Sequence, residues 1–379
     1  MEATKLSISN TMTSVNGRVD SDTNVPKAQM DDLVQLARDN LPYDALHTWN
    51  ANINGIAIQL VTNSDHLIDF WTENWFPLSQ DVVRPHGIIY AVMGIPGMKP
   101  HAYYCTETKT AVFVNSDYYG QCKSWALGIA ADIMEMQHDI HSIHAAVVDV
   151  GGSGIAIIAP TGTGKSTQSY GLVLTVPNAR MHSDDWAYVD YIGGALGRAS
   201  ATISERKFYL RTDIAETYPR MTEVFARCKL ENVGETYSSV RNSRVILDPK
   251  WIGGPEKFIY TTRLRSVILL RRDEKSPAEE KLEIDDAIAT LMKGEFMVLP
   301  GGGPEEEWGK LKTEPFYNPY LLVKNDERTQ LQVDFFRQLF KFAPCHILNT
   351  GVETVEQTHA RILRIAQEAA RRVAMQVEE

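Results

Sequence analysis

The sequence predicts an α/β protein in two parts: a phosphate-loop core of strands and helices, preceded by an N-terminal α/β lobe. Three observations carry that expectation. Residues 155–158 (IAII) are a short apolar run leading into Ala159-Pro160-Thr161-Gly162-Thr163-Gly164-Lys165-Ser166-Thr167, a glycine-rich loop that opens a helical stretch. Runs rich in β-branched and aromatic residues alternate with helical patterns through the rest of the chain. At 379 residues, the chain is long enough for a large core and for two domains.

Taken in order, residues 1–27 are rich in Ser, Thr, Asn and Asp and poor in aromatics, the composition of a disordered tail. Folded structure is expected from about Met30, where Leu33, Leu36 and Ala37 fall at helical spacing. The N-terminal lobe, residues 28–137, is expected to hold strands at 56–61, 87–92 and 111–114. An amphipathic helix is expected at 124–136, carrying Trp125, Leu127, Ile129, Ile133 and Met136. Trp71, Trp75, Tyr103, Tyr104, Tyr118 and Tyr119 are expected to pack a core rather than to line an acceptor pocket.

The core, residues 138–379, begins with the strand at 155–158 and a helix over 166–174, then a tight turn at Gly193-Gly194 and a strand at 208–210. Residues 265–271 predict a strand central to the core sheet, and 282–293 a helix. The stretch 299–308, with three consecutive glycines, suits a hinge, a lid or a disordered connector. A strand is expected to begin at Phe316, a strand and turn to occupy 345–351, and a helix to close the chain over 353–373.

The loop composition has a physical reason. Gly162 and Gly164 admit backbone angles closed to other residues, so the amides of Thr161 to Thr167 can converge on the oxygens of a polyphosphate. Lys165 supplies positive charge, Ser166 offers a hydroxyl to a phosphate-bound Mg²⁺, and the following helix turns its positive end toward the same anion. One departure from the usual pattern is Ala159, which stands where the first glycine would be. Some twenty residues on, Asp184 and Asp185 form adjacent carboxylates near a predicted strand end. Such a pair can divide its labour, one holding a metal-bound water and the other taking a proton from an attacking hydroxyl.

Bulk properties exclude other classes. A net charge of -10 with no basic block argues against a dedicated nucleic-acid or membrane binder, and nothing in the composition bars a homo-oligomer. No apolar run reaches the roughly 18 to 20 residues that span a bilayer, and no signal-peptide core is present, so a cytoplasmic enzyme is expected. Cys105, Cys122, Cys228 and Cys345 form no CxxC pair, indicating neither zinc knuckle nor disulfide framework. His138, His141 and His144 stand three residues apart, but the segment passes directly into a strand and no carboxylate or cysteine completes a metal set.

The order and approximate spacing of His144 to Asp149, Gly154 to Ile158, the Gly162/Gly164/Lys165/Ser166 loop and Asp184-Asp185 resemble HPr kinase/phosphorylase, which shares a superfamily with phosphoenolpyruvate carboxykinase. The likeness is concentrated over residues 144–191. It implies a core of that fold with a mixed sheet and flanking helices, ATP as phosphoryl donor with Mg²⁺, and a role for His144 beside the aspartate pair at the reacting phosphoryl group. In this scheme Lys165 and the loop amides hold the donor, Ser166 and Asp185 hold Mg²⁺, and Asp184 with His144 accepts the proton of a hydroxyl; the two aspartates are interchangeable. Further candidates for the metal, a phosphoryl group or an anionic acceptor are Glu205, Arg206, Lys207 and Arg211. Arg241 and Arg244 join them, because their spacing resembles the VRPGR stretch of HPr kinase, although the segment that follows, 248–254, departs from it.

The expected activity is therefore transfer of a phosphoryl group from ATP to a hydroxyl. A small molecule such as an amino acid, sugar or polyol is the favoured acceptor and a protein serine the alternative. The non-enzymatic alternative is a nucleotide-operated switch with slow hydrolysis only. A carboxykinase proper is disfavoured because the chain lacks its length and recognisable substrate signatures.

Overall fold

In the computed structural model, which describes residues 17–79, 81, 84–191, 199–232, 243–298 and 305–377, the apolar runs of the first third become strands of one seven-stranded sheet. Two units divide the chain, and neither boundary follows a single cut. The first comprises Met1–His138, Ser204–Asp248 and Tyr320–Lys324; the second comprises Asp139–Ile203, Pro249–Pro319 and Asn325–Glu379. The first boundary adjoins the expected one at residue 138, but Ser204–Asp248 groups with the N-terminal unit instead of the phosphate-loop core. The reason is local pairing: the segment closes a small sheet of its own and spends its charges on N-terminal partners.

The first unit opens with β1 (Ser21–Asp22) and α1 (Lys27–Asp39), then β2 (His47–Ile53), β3 (Ile56–Thr62), α2 (Asp65–Asn74), β4 (Phe76–Pro77), β5 (Gly87–Val92), β6 (His101–Cys105), β7 (Thr110–Val114) and α3 (Tyr119–His138). Asn54 and Gly55, both at positive φ, supply the two-residue turn that joins β2 to β3 antiparallel. Order begins earlier than the composition suggests. β1 pairs in parallel with β6 and Val25 is buried, so residues 21–27 belong to the fold, while residues 1–16 lie outside the described residues. The helix expected at 124–136 is present but not amphipathic, since α3 is buried from Tyr119 through Glu135. Its polar groups are internally paired, as where Asp132 accepts from Tyr104 Oη at 2.9 Å and pairs with Lys109.

The chain then enters the second unit through β8 (His141–Ile143), β9 (Ala145–Val150), β10 (Ser153–Ile158), α4 (Lys165–Thr175), β11 (Ala179–Ser183), β12 (Ala187–Tyr191) and β13 (Ala199–Ile203). The turn expected at Gly193-Gly194 lies outside the described residues. Within the first unit again, β14 (Phe208–Arg211), α5 (Ile214–Thr217), α6 (Met221–Phe225), β15 (Lys229–Glu231) and β16 (Arg244–Leu247) follow, the three strands forming one antiparallel sheet. The second unit resumes with β17 (Thr261–Arg271), β18 (Glu279–Leu282), α7 (Ile284–Lys293), β19 (Glu295–Met297), β20 (Leu311–Thr313), α8 (Asp326–Phe342), β21 (Cys345–Asn349) and α9 (Val355–Val377).

The nine-stranded mixed sheet of this unit is built on β17, which is central, as its continuous apolar run predicts. β10 and β21 pair with β17 in parallel, whereas β9 is antiparallel to β10 and β11 antiparallel to β9. Two reversals return β11 to the direction of β10. Consequently the ends of β10, β11 and β21 and the start of β9 all lie along one edge of the sheet. The strand expected to begin at Phe316 is absent. Pro315–Tyr317 is a single 3₁₀ turn in which Phe316 and Tyr317 take left-handed angles, with φ of 58° and 49°. Of the glycine-rich stretch 299–308, residues 299–304 lie outside the described residues and Glu305–Glu307 is a 3₁₀ turn.

Candidate active site

The sheet edge just defined gathers the phosphate loop, the aspartate pair and His144, because open α/β sheets place their loops where parallel strands end. After β10 the chain turns through Pro160 to Gly164. Thr163 donates its hydroxyl to the Pro160 carbonyl at 2.7 Å, and Thr350, just past β21, donates to the Thr163 carbonyl at 2.9 Å. Gly162 and Gly164 have φ of 87° and 103°, angles that L side chains rarely adopt, so the glycines are required by conformation. Ala159 is buried and is not among the positive-φ residues, which explains why a side chain is tolerated there.

Gly164 caps α4 with no side-chain hydrogen bond, so the positive end of the helix dipole sits at the loop. Thr161 and Gly162 are exposed, and Lys165, Ser166 and Thr167 are half-buried. Among the described residues the Ser166 hydroxyl makes no hydrogen bond.

β11 ends in a side-chain-closed turn. The Ser183 hydroxyl donates to the Trp186 carbonyl at 2.5 Å and accepts from the Trp186 amide at 3.2 Å, which fixes Asp184 and Asp185 between them. The two carboxylates separate in environment. Asp184 is buried and accepts from the hydroxyl of Tyr170, on α4, at 3.2 Å, whereas Asp185 keeps 21% of its side chain exposed.

Lys165, His144 and Asp185 meet directly. Lys165 Nζ lies 2.7 Å from Asp185 Oδ1 and 2.9 Å from His144 Nε2, and His144 Nε2 lies 3.0 Å from Asp185 Oδ1. On its other side His144 Nδ1 approaches the Tyr317 carbonyl at 2.6 Å. A carbonyl has no proton to give, so Nδ1 carries a proton and Nε2 is the ring atom turned toward Lys165 and Asp185. The Lys165 ammonium then donates to both Nε2 and Oδ1 and holds these two acceptors together.

Asp149, on β9, has a structural task. It accepts from Arg180 Nη2 at 2.7 Å, from the Thr262 hydroxyl at 2.7 Å and from the Gly152 amide at 3.1 Å, fastening the β9–β10 turn.

The remaining predicted residues are placed within their own unit. Glu205, Arg206, Lys207, Arg211 and Arg244 belong to the first unit, and Arg241 lies outside the described residues. Glu205 is fully buried, accepting from Asn74 Nδ2 at 2.9 Å with Lys123 Nζ 3.2 Å away. Arg206 donates to the carbonyls of Thr72 and Glu73, Lys207 pairs with Glu73, and Arg211 pairs with Asp213. Arg244 donates to the Ser243 carbonyl at 3.3 Å. These contacts give the charge-dense stretch employment within its own unit. Metal donors fit a particular pattern: among the described residues no three His, Cys, Asp or Glu side chains cluster as a metal cage. The Ser166 hydroxyl and the Asp185 carboxylate are a hard-oxygen pair of the kind that serves Mg²⁺, which takes its other ligands from phosphate and water.

Sequence reasoning missed Tyr170, Ser183, Thr350 and the Tyr317 carbonyl. Ser183, two residues ahead of the second aspartate, carried a usable turn signal; the carbonyl carried none, since any residue supplies one. Comparison with models of known protein families gives no match, and comparison with curated proteins gives none either. Among the described residues no helix is long and apolar enough to cross a membrane.

Proposed function

We propose that the protein is an ATP-dependent phosphotransferase acting on a hydroxyl acceptor, with a core of the HPr kinase type. The observation that carries this reading is the convergence of Lys165, His144 and Asp185 within hydrogen-bonding distance beside an uncapped helix N-terminus. A loop that only held nucleotide could use the carboxylate for Mg²⁺ but would have no use for a histidine beside it.

In this reading the loop amides and Lys165 bind the donor phosphates, and Lys165 leaves Asp185 for them. Ser166 and Asp185 would hold Mg²⁺, whose chemistry is to offset charge on the phosphate oxygens. Buried Asp184, oriented by Tyr170, and the Nε2 lone pair of His144 are the groups able to accept a hydroxyl proton as the oxygen attacks in line. The favoured acceptor is a small alcohol.

The test is an acceptor screen with ATP and Mg²⁺, following ADP release against pooled amino acids, sugars, polyols and nucleosides, with Lys165→Ala alongside. Acceptor-dependent release that disappears in the variant is the expected result. Labelling of lysate proteins instead would assign a protein acceptor. Slow hydrolysis with neither would leave a nucleotide switch and overturn the kinase reading.

A further inference from the structure

Two consecutive aromatic residues in the left-handed region are rare, because a side chain there crowds its own backbone. Phe316 and Tyr317 take it together, and the carbonyl thereby aimed is the one that His144 Nδ1 meets at 2.6 Å. We propose that the Phe316–Tyr317 turn is a positioning device that locks His144 in its Nδ1-protonated tautomer and so fixes where the Nε2 lone pair points. The inference rests on the phosphotransferase reading for its purpose, but not for its geometry.

The surroundings over-determine the turn. The Phe316 ring stacks on Phe336 of α8 at 5.7 Å and 9° between planes, and Phe336 also meets Phe335 and Phe340. The Tyr317 hydroxyl donates to the Glu295 carbonyl at 3.2 Å, and the Tyr317 amide to the Glu314 carbonyl at 2.9 Å. The Glu314 amide in turn reaches the Gly294 carbonyl at 3.0 Å. Gly294, at φ of 52°, has no room for a side chain, since a Cβ would stand 1.8 Å from the Glu314 carbonyl oxygen. Paired β19 and β20 close the connection between Gly294 and Glu314. A turn merely passing between elements would relax into extended backbone; this one is held strained by a ring stack, a hairpin and a glycine contact.

The alternative tautomer would place its proton on Nε2, between the Lys165 ammonium and Asp185 Oδ1, and would leave the Tyr317 carbonyl without its donor at 2.6 Å. Tyr317 is therefore a positioning residue acting through His144, and Phe316 acts through Tyr317.

The test reads the tautomer directly by ¹⁵N NMR of histidine-labelled, nucleotide-free full chain, with the His144 signals assigned by their loss in His144→Gln. The expected result is a ring that carries a proton at Nδ1. A ring protonated at Nε2 alone would overturn the proposal without reference to any variant. Phe316→Ala should mix the tautomers and lower kcat about tenfold while leaving the KM for nucleotide unchanged, and Phe316→Tyr should restore both. Tyr317→Gly keeps the carbonyl and accepts the same φ, so it should retain the Nδ1 tautomer; loss of it there, or its persistence in folded Phe316→Ala, would overturn the assignment. Because the spectrum needs no turnover, failure of the kinase reading would show as absent activity beside an intact tautomer.

Discussion

Lys165 is held by two acceptors, so its removal has two consequences. Lys165→Ala should abolish measurable nucleotide binding and leave Asp185 and His144 facing each other without the cation between them. Asp184→Asn should separate binding from chemistry: nucleotide affinity within about threefold of the parent and transfer reduced by roughly a hundredfold or more, as for other acid–base positions. Retained turnover would end the assignment. Tyr170 gives a finer test, since Tyr170→Phe removes only the hydroxyl at 3.2 Å from Asp184. A roughly ten- to hundredfold fall in kcat is expected, on the order of one hydrogen bond to a charged group. The loop residues were readable in the sequence because that motif ties residue type to backbone geometry. Tyr170 was not: a tyrosine on a helix is ordinary, and only the packing of α4 brings its hydroxyl to Asp184.

Elements depend on glycines for two different reasons. At Gly164 a Cβ would meet nothing within 4 Å, so the cost of Gly164→Ala is the backbone angle alone. About 1–2 kcal/mol of stability should be lost in denaturant titration, with weaker nucleotide binding as the loop shifts. At Gly154 a Cβ would stand 2.7 Å from the Arg263 carbonyl oxygen and 2.7 Å from the Thr262 hydroxyl, between β10 and β17. Gly154→Ala should therefore cost roughly 1–3 kcal/mol by forcing the central strands apart. Calorimetry that left both variants at the parent melting temperature would contradict these accounts. Strands with continuous apolar runs, such as β10 and β17, were legible because burial on both faces demands that composition. The segment from Phe316 was misread for the converse reason. Its aromatics suit a strand locally, but Pro315, the Gly294 contact and the stack on Phe336 impose a turn that no local preference favours. α3 was misread in its periodicity, because buried Asp132 and Glu135, three residues apart on one helix face, look like a solvent face until their burial is known.

At the scale of the molecule, stability should fall with acid through buried histidines. Burial lowers His182 to about 4 from its usual value near 6.5, and it lowers His346 and His359 in the same direction. Depressed histidines contribute their full share above the unfolded value and lose it as pH falls toward the folded one. The window therefore runs from about 6.5 down to about 4 for His182, with a loss of up to roughly 3 kcal/mol. Urea melts at pH 7 and pH 4.5 should show this fall, and His182→Gln should flatten it; equal slopes in parent and variant would refute the attribution. The sequence by itself determined the α/β class, the glycine-rich loop between β10 and α4, and most strands and helices, because these follow from short-range periodicity and from backbone angles that few residues can adopt. Only tertiary structure decided that β11 returns parallel to β10 and so brings Asp185 to Lys165, that residues 204–248 serve the first unit, and that a strained carbonyl 173 positions away sets the face of His144. Those depend on contacts between distant segments, whose partners no local pattern specifies.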